Sequence, residues 1–491
     1  MDNIQQKIAQ LKIRKQTFIN GQFVDAMSGN IIQKVSPIDG RDLSGISACD
    51  ATDIDIAVKH AKQAFESKVW VNKPPQEKKR ILLKLADLME VHREELALLD
   101  TLETGRAFKN HYFDSIPKSI EALRYFAESV DKYYDHAIPP RPNAFATVTK
   151  EPLGVVGLIT PWNDPLVVAT WKFAPALLMG NAVIVKPAEQ SSFSILRVAQ
   201  LAQEAGVPDG IFNIVTGFGE VAGKALALHP DVAGIFFTGS SEIGKQILQY
   251  AGQSNMKKVG LECGGKSPFI VSKHCKNLAK AAQTLAKNIF YNQGQICSAP
   301  SRALIDIQIK EQFIELLTQE AEKYIPQNPF DVDTNVGCVV SQTQQDRILG
   351  YIEQGKKEGA NPISFAKKDA DFNGICVNPT IFIDVSPQST IAQEEIFGPV
   401  LALIETSSMQ EAIDIANHSK YGLAASIWTD DLNEAYQVSR ELQAGIVHIN
   451  SYGDDDNTVP FGGIKESGIG KDKSIYAFDE YSYLKTTWTH F

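Results

Sequence analysis

The stretch VAGIFFTGSSEIG, Val232 to Gly244, carries an almost unbroken apolar run into Thr238-Gly239-Ser240 and then turns at once into a helical pattern. A strand that is apolar throughout is buried on both faces, as in a parallel sheet covered by helices. VVGLIT (155–160), NAVIVKP (181–187) and IFNIVTG (211–217) have the same make-up, and they alternate with the helical segments WKFAPALLMG, ILRVAQLAQEAG, EVAGKALALH and IGKQILQYAG. That alternation predicts an α/β fold on a parallel sheet, which takes ligands beyond the carboxyl ends of its strands. The turns at those ends, TPWNDP, KPAEQ, TGFGEVAG and FTGSSEIG, concentrate polar residues and glycine.

Working outward, a second α/β stretch begins near KKVGLECGGKSPFIV and includes NLAKAAQTLAKNIFYNQGQICS, RALIDI and NPTIFIDV, a further domain facing the first. Toward the amino end, apolar residues at three- and four-residue spacing predict helices from about Ile54 to Val130. Before them, TFINGQFV sets two β-type runs around Asn20-Gly21, the signal of a tight hairpin. The tail YSYLKTTWTHF alternates and is aromatic; together with VTKEP (148–152) it reads as a β edge used in assembly.

The 491 residues suffice for two or three domains, and 44% hydrophobic with 22% charged is ordinary globular composition. A net charge of -10 argues against a broad nucleic-acid surface and against docking to anionic membranes, leaving small molecules as partners. The polar amino-terminus is not a secretory signal, and no apolar run approaches the roughly 20 residues that cross a bilayer. The expectation is a cytoplasmic protein. Six scattered cysteines, without a CxxC pair, suggest neither a disulfide framework nor a zinc site.

Several short segments carry chemistry. Gly217-Phe-Gly219-Glu-Val-Ala-Gly223 resembles a dinucleotide loop whose last glycine comes one residue late. FTGSSEIG is either an ordinary strand-to-helix turn or one whose N–H groups hold a pyrophosphate. In KPAEQ, Lys186 and Glu189 follow a buried strand, where a carboxylate can bond both hydroxyls of an adenosine ribose and repel a 2'-phosphate. Cys297 in YNQGQICSAP reads as a core cysteine or a nucleophile. Glu262 in LECGGKSP reads as a tuned general base or a solvated strand end. The amide of Asn163 in PWNDP is placed to donate to an oxyanion.

Taken jointly, PWN, KPAEQ, GFG, FTGS, LECGGKSP, NQGQICS, EEIFGPV and PFGG resemble, in order and spacing, the aldehyde dehydrogenase superfamily, from about Thr17 almost to the carboxyl end. The resemblance implies that family's fold: a Rossmann-like cofactor domain (1–130 and 152–262), a second α/β catalytic domain (263–470) and a small β oligomerisation element (131–151 and 471–491). It implies Cys297 as nucleophile, with its own N–H and Asn163 holding the oxyanion, and Glu262 as the base that hydrolyses the thioester. Relatives that acylate coenzyme A typically lack this glutamate. The family pattern has Leu or Ala where this chain has Cys263. The cofactor implied is NAD, with NADP as the alternative, lined by Ile159, Trp162, Lys186, Glu189, Gly219, Gly223, Phe237, Gly239, Ser240, Ile243, Gly264, Glu395 and Phe397. The resemblance also implies a homodimer or homotetramer.

The same matching puts Asp164, Trp171, Asp455 and Phe461 along the substrate tunnel. Asp455 belongs to SYGDDDNTVPFGG (451–463), a run that reads as a solvated loop, a metal site or a wall facing a cationic ligand. Consecutive aspartates in an extended chain cannot all point at one ion, which argues against a metal-dependent hydrolase. Tunnel carboxylates favour a cationic substrate tail, because a buried charge without a partner is costly, and Trp171 and Tyr452 can add cation–π faces. TVPFGGIKESGIGKDKS and NMKKVGLECGGKS resemble the subgroup that acts on γ-glutamylaminobutyraldehyde and guanidinobutyraldehyde, an ω-amino or ω-guanidino chemistry of polyamine and arginine catabolism. The alternatives are a broad-specificity aliphatic or aromatic aldehyde dehydrogenase, a betaine aldehyde dehydrogenase, and a non-catalytic binding protein on the same fold.

Overall fold

In the computed structural model, which describes residues 2–365 and 372–491, the opening stretch folds as the strand Gly234–Thr238 and the helix Ser241–Gln253. The strand is central in an eight-stranded sheet of order Gly468–Ile469, Lys258–Glu262, Gly234–Thr238, Val155–Thr160, Ala182–Pro187, Phe212–Ile214, Thr17–Ile19, Gln22–Val24. Lys258–Glu262 through Phe212–Ile214 run parallel, and the continuous apolar runs are buried as their composition requires. Strand order reverses between Val155–Thr160 and Gly234–Thr238. Ligands of such sheets bind at that switch point, and the turns above these two strands are Pro161-Trp162-Asn163 and Gly239-Ser240.

Short antiparallel strands close both edges. Thr17–Ile19 and Gln22–Val24 form the hairpin, with Asn20 and Gly21 both at positive φ (50° and 75°) as its tight turn requires. Asn20 N donates to Asn213 Oδ1 at 2.9 Å, fastening the hairpin to the neighbouring strand. On the far edge, Gly468–Ile469 pairs with Lys258–Glu262, so a piece from far down the chain completes the first sheet.

The second sheet has seven strands, in order Asn361–Ser364, Thr380–Ile383, Val400–Thr406, Arg302–Asp306, Pro268–Val271, Ala424–Trp428, Ile446–Ile449, parallel except at Asn361–Ser364. Its helices bury their apolar sides on both faces, with Leu285 and Phe313 on one and Ile348 and Val438 on the other. The chain passes from the carboxyl end of Lys258–Glu262 to the amino end of Pro268–Val271 in one short crossing. The carboxyl ends of the first sheet therefore meet the amino ends of the second.

A third, three-stranded sheet joins His136–Ala137, Ala144–Pro152 and Ser482–His490. The carboxyl-terminal strand pairs antiparallel over its whole length, from Ser482 opposite Pro152 to His490 opposite Ala144. Tyr483, Leu484 and Trp488 on it are at least half exposed. No helix among the described residues is long and apolar enough to cross a membrane.

Candidate active site

The loop that carries Cys297 is built under strain. It follows the helix Leu278–Phe290, and Asn292 and Gln293 both take left-handed backbone (φ 50° and 57°), a conformation non-glycine residues hold only when their surroundings enforce it. The enforcement is visible. Gln293 Oε1 accepts from Val377 N at 2.9 Å, Gln295 Oε1 accepts from Val340 N at 3.0 Å, and Asn292 Nδ2 donates to Asn163 O at 3.0 Å. Asn163 Nδ2 in turn donates to Gln295 O at 3.0 Å. That bond uses one of its two amide hydrogens and leaves the other for an oxyanion. Burial pushes the Cys297 thiol up to about 12, and the carboxylates of Glu395 and Glu262 add to the rise, opposed by the N–H groups of Ser298 and Cys297.

Glu262 is the last residue of Lys258–Glu262, and it is buried. Neither carboxylate oxygen has a hydrogen-bond partner among the described residues. Burial holds this carboxyl well above the ordinary glutamate range, and the negative charge of Asp472 adds to it, while Lys172 and Lys471 pull the other way. Lys172 and Asp472 form a buried ion pair at 2.8 Å. Behind the carboxyl lies Gly462, where a Cβ would stand 2.5 Å from Glu262 Oε1. Such an acid is poised to accept a proton.

Gly264 and Gly265 let both halves of the site close on the crossing. A Cβ on Gly264 would come within 2.2 Å of Glu395 Oε2, and one on Gly265 within 2.4 Å of Cys297 O. Gly265 N donates to Glu395 Oε1 at 3.0 Å. Burial nevertheless pushes the Glu395 carboxyl up to about 7. Phe397, left-handed at φ 57°, meets Trp162 edge-on at 5.3 Å.

Above the switch point, Ser240 caps the helix Ser241–Gln253, accepting from Ile243 N at 3.3 Å, and the first turn of that helix offers backbone N–H groups of the kind that bind anions. The Phe237 ring lies beside Gly239, where a Cβ would meet it at 2.4 Å. Ile159 and Lys186 approach Gly223, and the buried Lys186 ammonium pairs with Glu189 at 3.3 Å. Phe218, Val221 and Ile243 expose about 40% of their surface on the surrounding turns. An anion-binding helix end, an acidic residue at a strand end and exposed apolar side chains fit a dinucleotide.

In the tunnel region, Trp171 packs on Phe461 with ring centroids 5.3 Å apart. Asp164 Oδ2 pairs with the buried Arg106 at 3.1 Å, and Asp455 Oδ2 pairs with Lys473 at 2.5 Å. Each carboxylate thus already has a cation inside the protein. Lys473 also lies 5.6 Å over the Trp171 ring, and the Tyr452 ring has His448 at 5.1 Å and Phe269 at 6.0 Å between ring centroids, so both aromatic rings proposed for a ligand have internal neighbours. Asp456 caps its own loop through Thr458 N, at 2.8 Å. Asp164 Oδ1 is buried and has no hydrogen-bond partner among the described residues.

Sequence reasoning missed Lys172, Asp472, Arg106, Gln293 and Gln295. One signal was available: Lys172 is a lone cation in the otherwise apolar helix Pro165–Leu178, a placement that demands a buried partner.

The sequence profile of the aldehyde dehydrogenase family matches residues 23–487. The NADP/NAD-dependent aldehyde dehydrogenase PuuC of Escherichia coli is 44% identical over 484 residues, spanning 99% of this chain and 97% of its own length. Among solved structures, the gamma-glutamyl-gamma-aminobutyraldehyde dehydrogenase of Burkholderia cenocepacia is 45% identical with a TM-score of 0.97, over 100% of this chain and 99% of that one. The indole-3-acetaldehyde dehydrogenase AldA of P. syringae, a mutant in complex with NAD+ and IAA, is 43% identical with a TM-score of 0.98 over the same shares.

Proposed function

The chain belongs to the aldehyde dehydrogenase family, and on that footing we propose that it oxidises ω-amino, γ-glutamylamino or guanidino butyraldehydes to carboxylates with NAD. The observation that carries the hydrolytic chemistry is Glu262, a buried carboxyl with no side-chain hydrogen-bond partner among the described residues, which bears electrostatically on Cys297. The Cys297 thiol releases its proton to water, the thiolate adds to the aldehyde carbonyl, and the Cys297 N–H together with the second Asn163 amide hydrogen holds the oxyanion of the thiohemiacetal. When bound, NAD would supply the hydride acceptor needed for oxidation of this adduct to a thioester. Lys186, Glu189, Gly239 and Ser240 would hold its adenosine and pyrophosphate end, and Glu395, Phe397 and Trp162 its nicotinamide end. Glu262 then takes the proton of the water that cleaves the thioester. On this reading, 1–130 with 152–262 is the cofactor domain and 263–470 the catalytic domain.

The substrate class rests on two supports. The Burkholderia cenocepacia relative acts on gamma-glutamyl-gamma-aminobutyraldehyde, by its name, and Asp164 Oδ1 is a buried acceptor without a donor among the described residues. A donor on the substrate, whether ammonium, guanidinium or amide N–H, satisfies it. The P. syringae likeness favours a second reading, in which the tunnel takes aromatic aldehydes. Comparing kcat/KM for 4-guanidinobutanal and hexanal, in the wild type and in Asp164→Asn and Asp455→Asn, separates them. We expect the preference for the guanidino substrate to fall about tenfold or more in Asp164→Asn; an unchanged preference in both variants rejects the class.

The exposed apolar side chains of Ser482–His490 support assembly into a homodimer or homotetramer through 131–151 and 471–491. Six free cysteines fit a reducing, cytoplasmic setting.

A further inference from the structure

Two of the free thiols meet far from the nucleophile in sequence and at the seam between the two large sheets. Val339 N donates to Ile375 O at 2.8 Å, so the segments carrying Cys338 and Cys376 run side by side through a shared hydrogen bond. The Cys376 thiol donates to the carbonyl oxygen of Gly337, the residue before Cys338, at 3.6 Å. A Cβ on Gly374 would stand 2.7 Å from Cys338 Sγ. The two thiols bear directly on each other, the Cys376 thiol adding to the rise that burial imposes on Cys338. Neighbouring extended chains bring facing Cα atoms to about 5 Å, within the roughly 4.4–6.8 Å that a disulfide spans.

Access differs between the two: Cys338 is buried and Cys376 is partly exposed. That asymmetry suits a two-step oxidation in which the reachable thiol reacts first and the sheltered one resolves it.

We propose that Cys338 and Cys376 form a site of oxidative modification, closing to an internal disulfide when the protein meets a peroxide. The Cys376 thiolate attacks one peroxide oxygen and the O–O bond breaks. This leaves a sulfenic acid at Cys376, and the departing hydroxide takes up a proton to become water. The Cys338 sulfur then attacks the Cys376 sulfur and displaces a second water. Two thiols are oxidised by two electrons in all, and one hydrogen peroxide is reduced to two waters.

The position gives this crosslink a mechanical consequence. The residue after each segment holds the nucleophile's loop: Val340 N donates to Gln295, and Val377 N to Gln293. Both segments are also fastened to the amino-terminal half, Cys338 N to Gly105 O at 2.7 Å and Ile375 N to Pro37 O at 2.9 Å. A disulfide ties together the two arms that enforce the strained backbone ahead of Cys297.

The test treats the full-length protein with hydrogen peroxide, alkylates remaining thiols with iodoacetamide under denaturing conditions, digests without reductant and maps the peptides by mass spectrometry. The expected product is the Cys338 peptide joined to the Cys376 peptide, about 2 Da lighter than the sum of the two reduced peptides. Cys338→Ser and Cys376→Ser should each abolish it, and Cys297→Ser should retain it. Recovery of Cys338 alkylated while Cys376 is sulfinic, joined to another cysteine, or itself alkylated after peroxide has oxidised Cys297, overturns the proposal.

Discussion

Glu262 titrates between neighbours of opposite sign, and that arrangement makes its pH behaviour testable. Asp472 raises its pKa and Lys172 lowers it. In Asp472→Asn the raising charge is gone and Lys172 remains, so the carboxylate forms at lower pH and the acid limb of the kcat profile should move downward; an upward move rejects the assignment. Glu262→Gln should lower kcat by about 10²–10⁴-fold, the usual weight of a general base, with a thioester accumulating on Cys297 that mass spectrometry can detect. At Cys297 the Glu395 carboxylate opposes thiolate formation. Glu395→Gln should therefore lower the pH at which iodoacetamide alkylates Cys297, followed on that peptide alone. Cys297, Glu262 and Asn163 stand out in the sequence as candidates because each lies in a short local motif. Lys172 and Asp472 do not, because they are partners across 300 residues and neither motif names the other.

At the scale of elements, the strained loop before Cys297 depends on glycine at one point. Gly294 takes φ +68°, and a Cβ there would lie 2.1 Å from Gly398 O, a backbone atom that cannot step aside. Gly294→Ala should cost about 1–3 kcal/mol of stability, measured by denaturant unfolding, and should lower kcat as the loop shifts. Ser240→Ala removes the cap of Ser241–Gln253 and should cost about 1 kcal/mol. The parallel strands could be read from the sequence because burial on both faces leaves continuous apolar runs, and the Asn20-Gly21 hairpin because only a few residue types tolerate its backbone. The edge strand Gly468–Ile469 could not, since two residues carry no periodicity and its pairing with Leu261 and Glu262 is set by tertiary packing. For the same reason the cations that meet Asp164 and Asp455 were invisible: Arg106 and Lys473 reach them only in the folded chain.

For the whole molecule, assembly is the property most open to test. Leu484 and Trp488 are 65% and 53% exposed on the carboxyl-terminal strand, so replacing both by Asp should leave the chain folded while reducing the particle mass, measured by light scattering, toward the 54.0 kDa of one chain. An unchanged mass rejects that face as the interface. The crossing between the two large sheets has a further consequence. Cys263 N donates to Ser467 O at 2.8 Å, and the buried Ser467 hydroxyl donates to Gly264 O at 2.7 Å while accepting from Gly422 N at 2.9 Å. The chain is thus pinned where the halves touch, with Glu262 just before the pin and Gly265, against the Cys297 backbone, just after it. A cleft hinged there opens at its rim and barely at its axis, so a spent dinucleotide can leave and a fresh one enter while the chemical centre keeps its gauge.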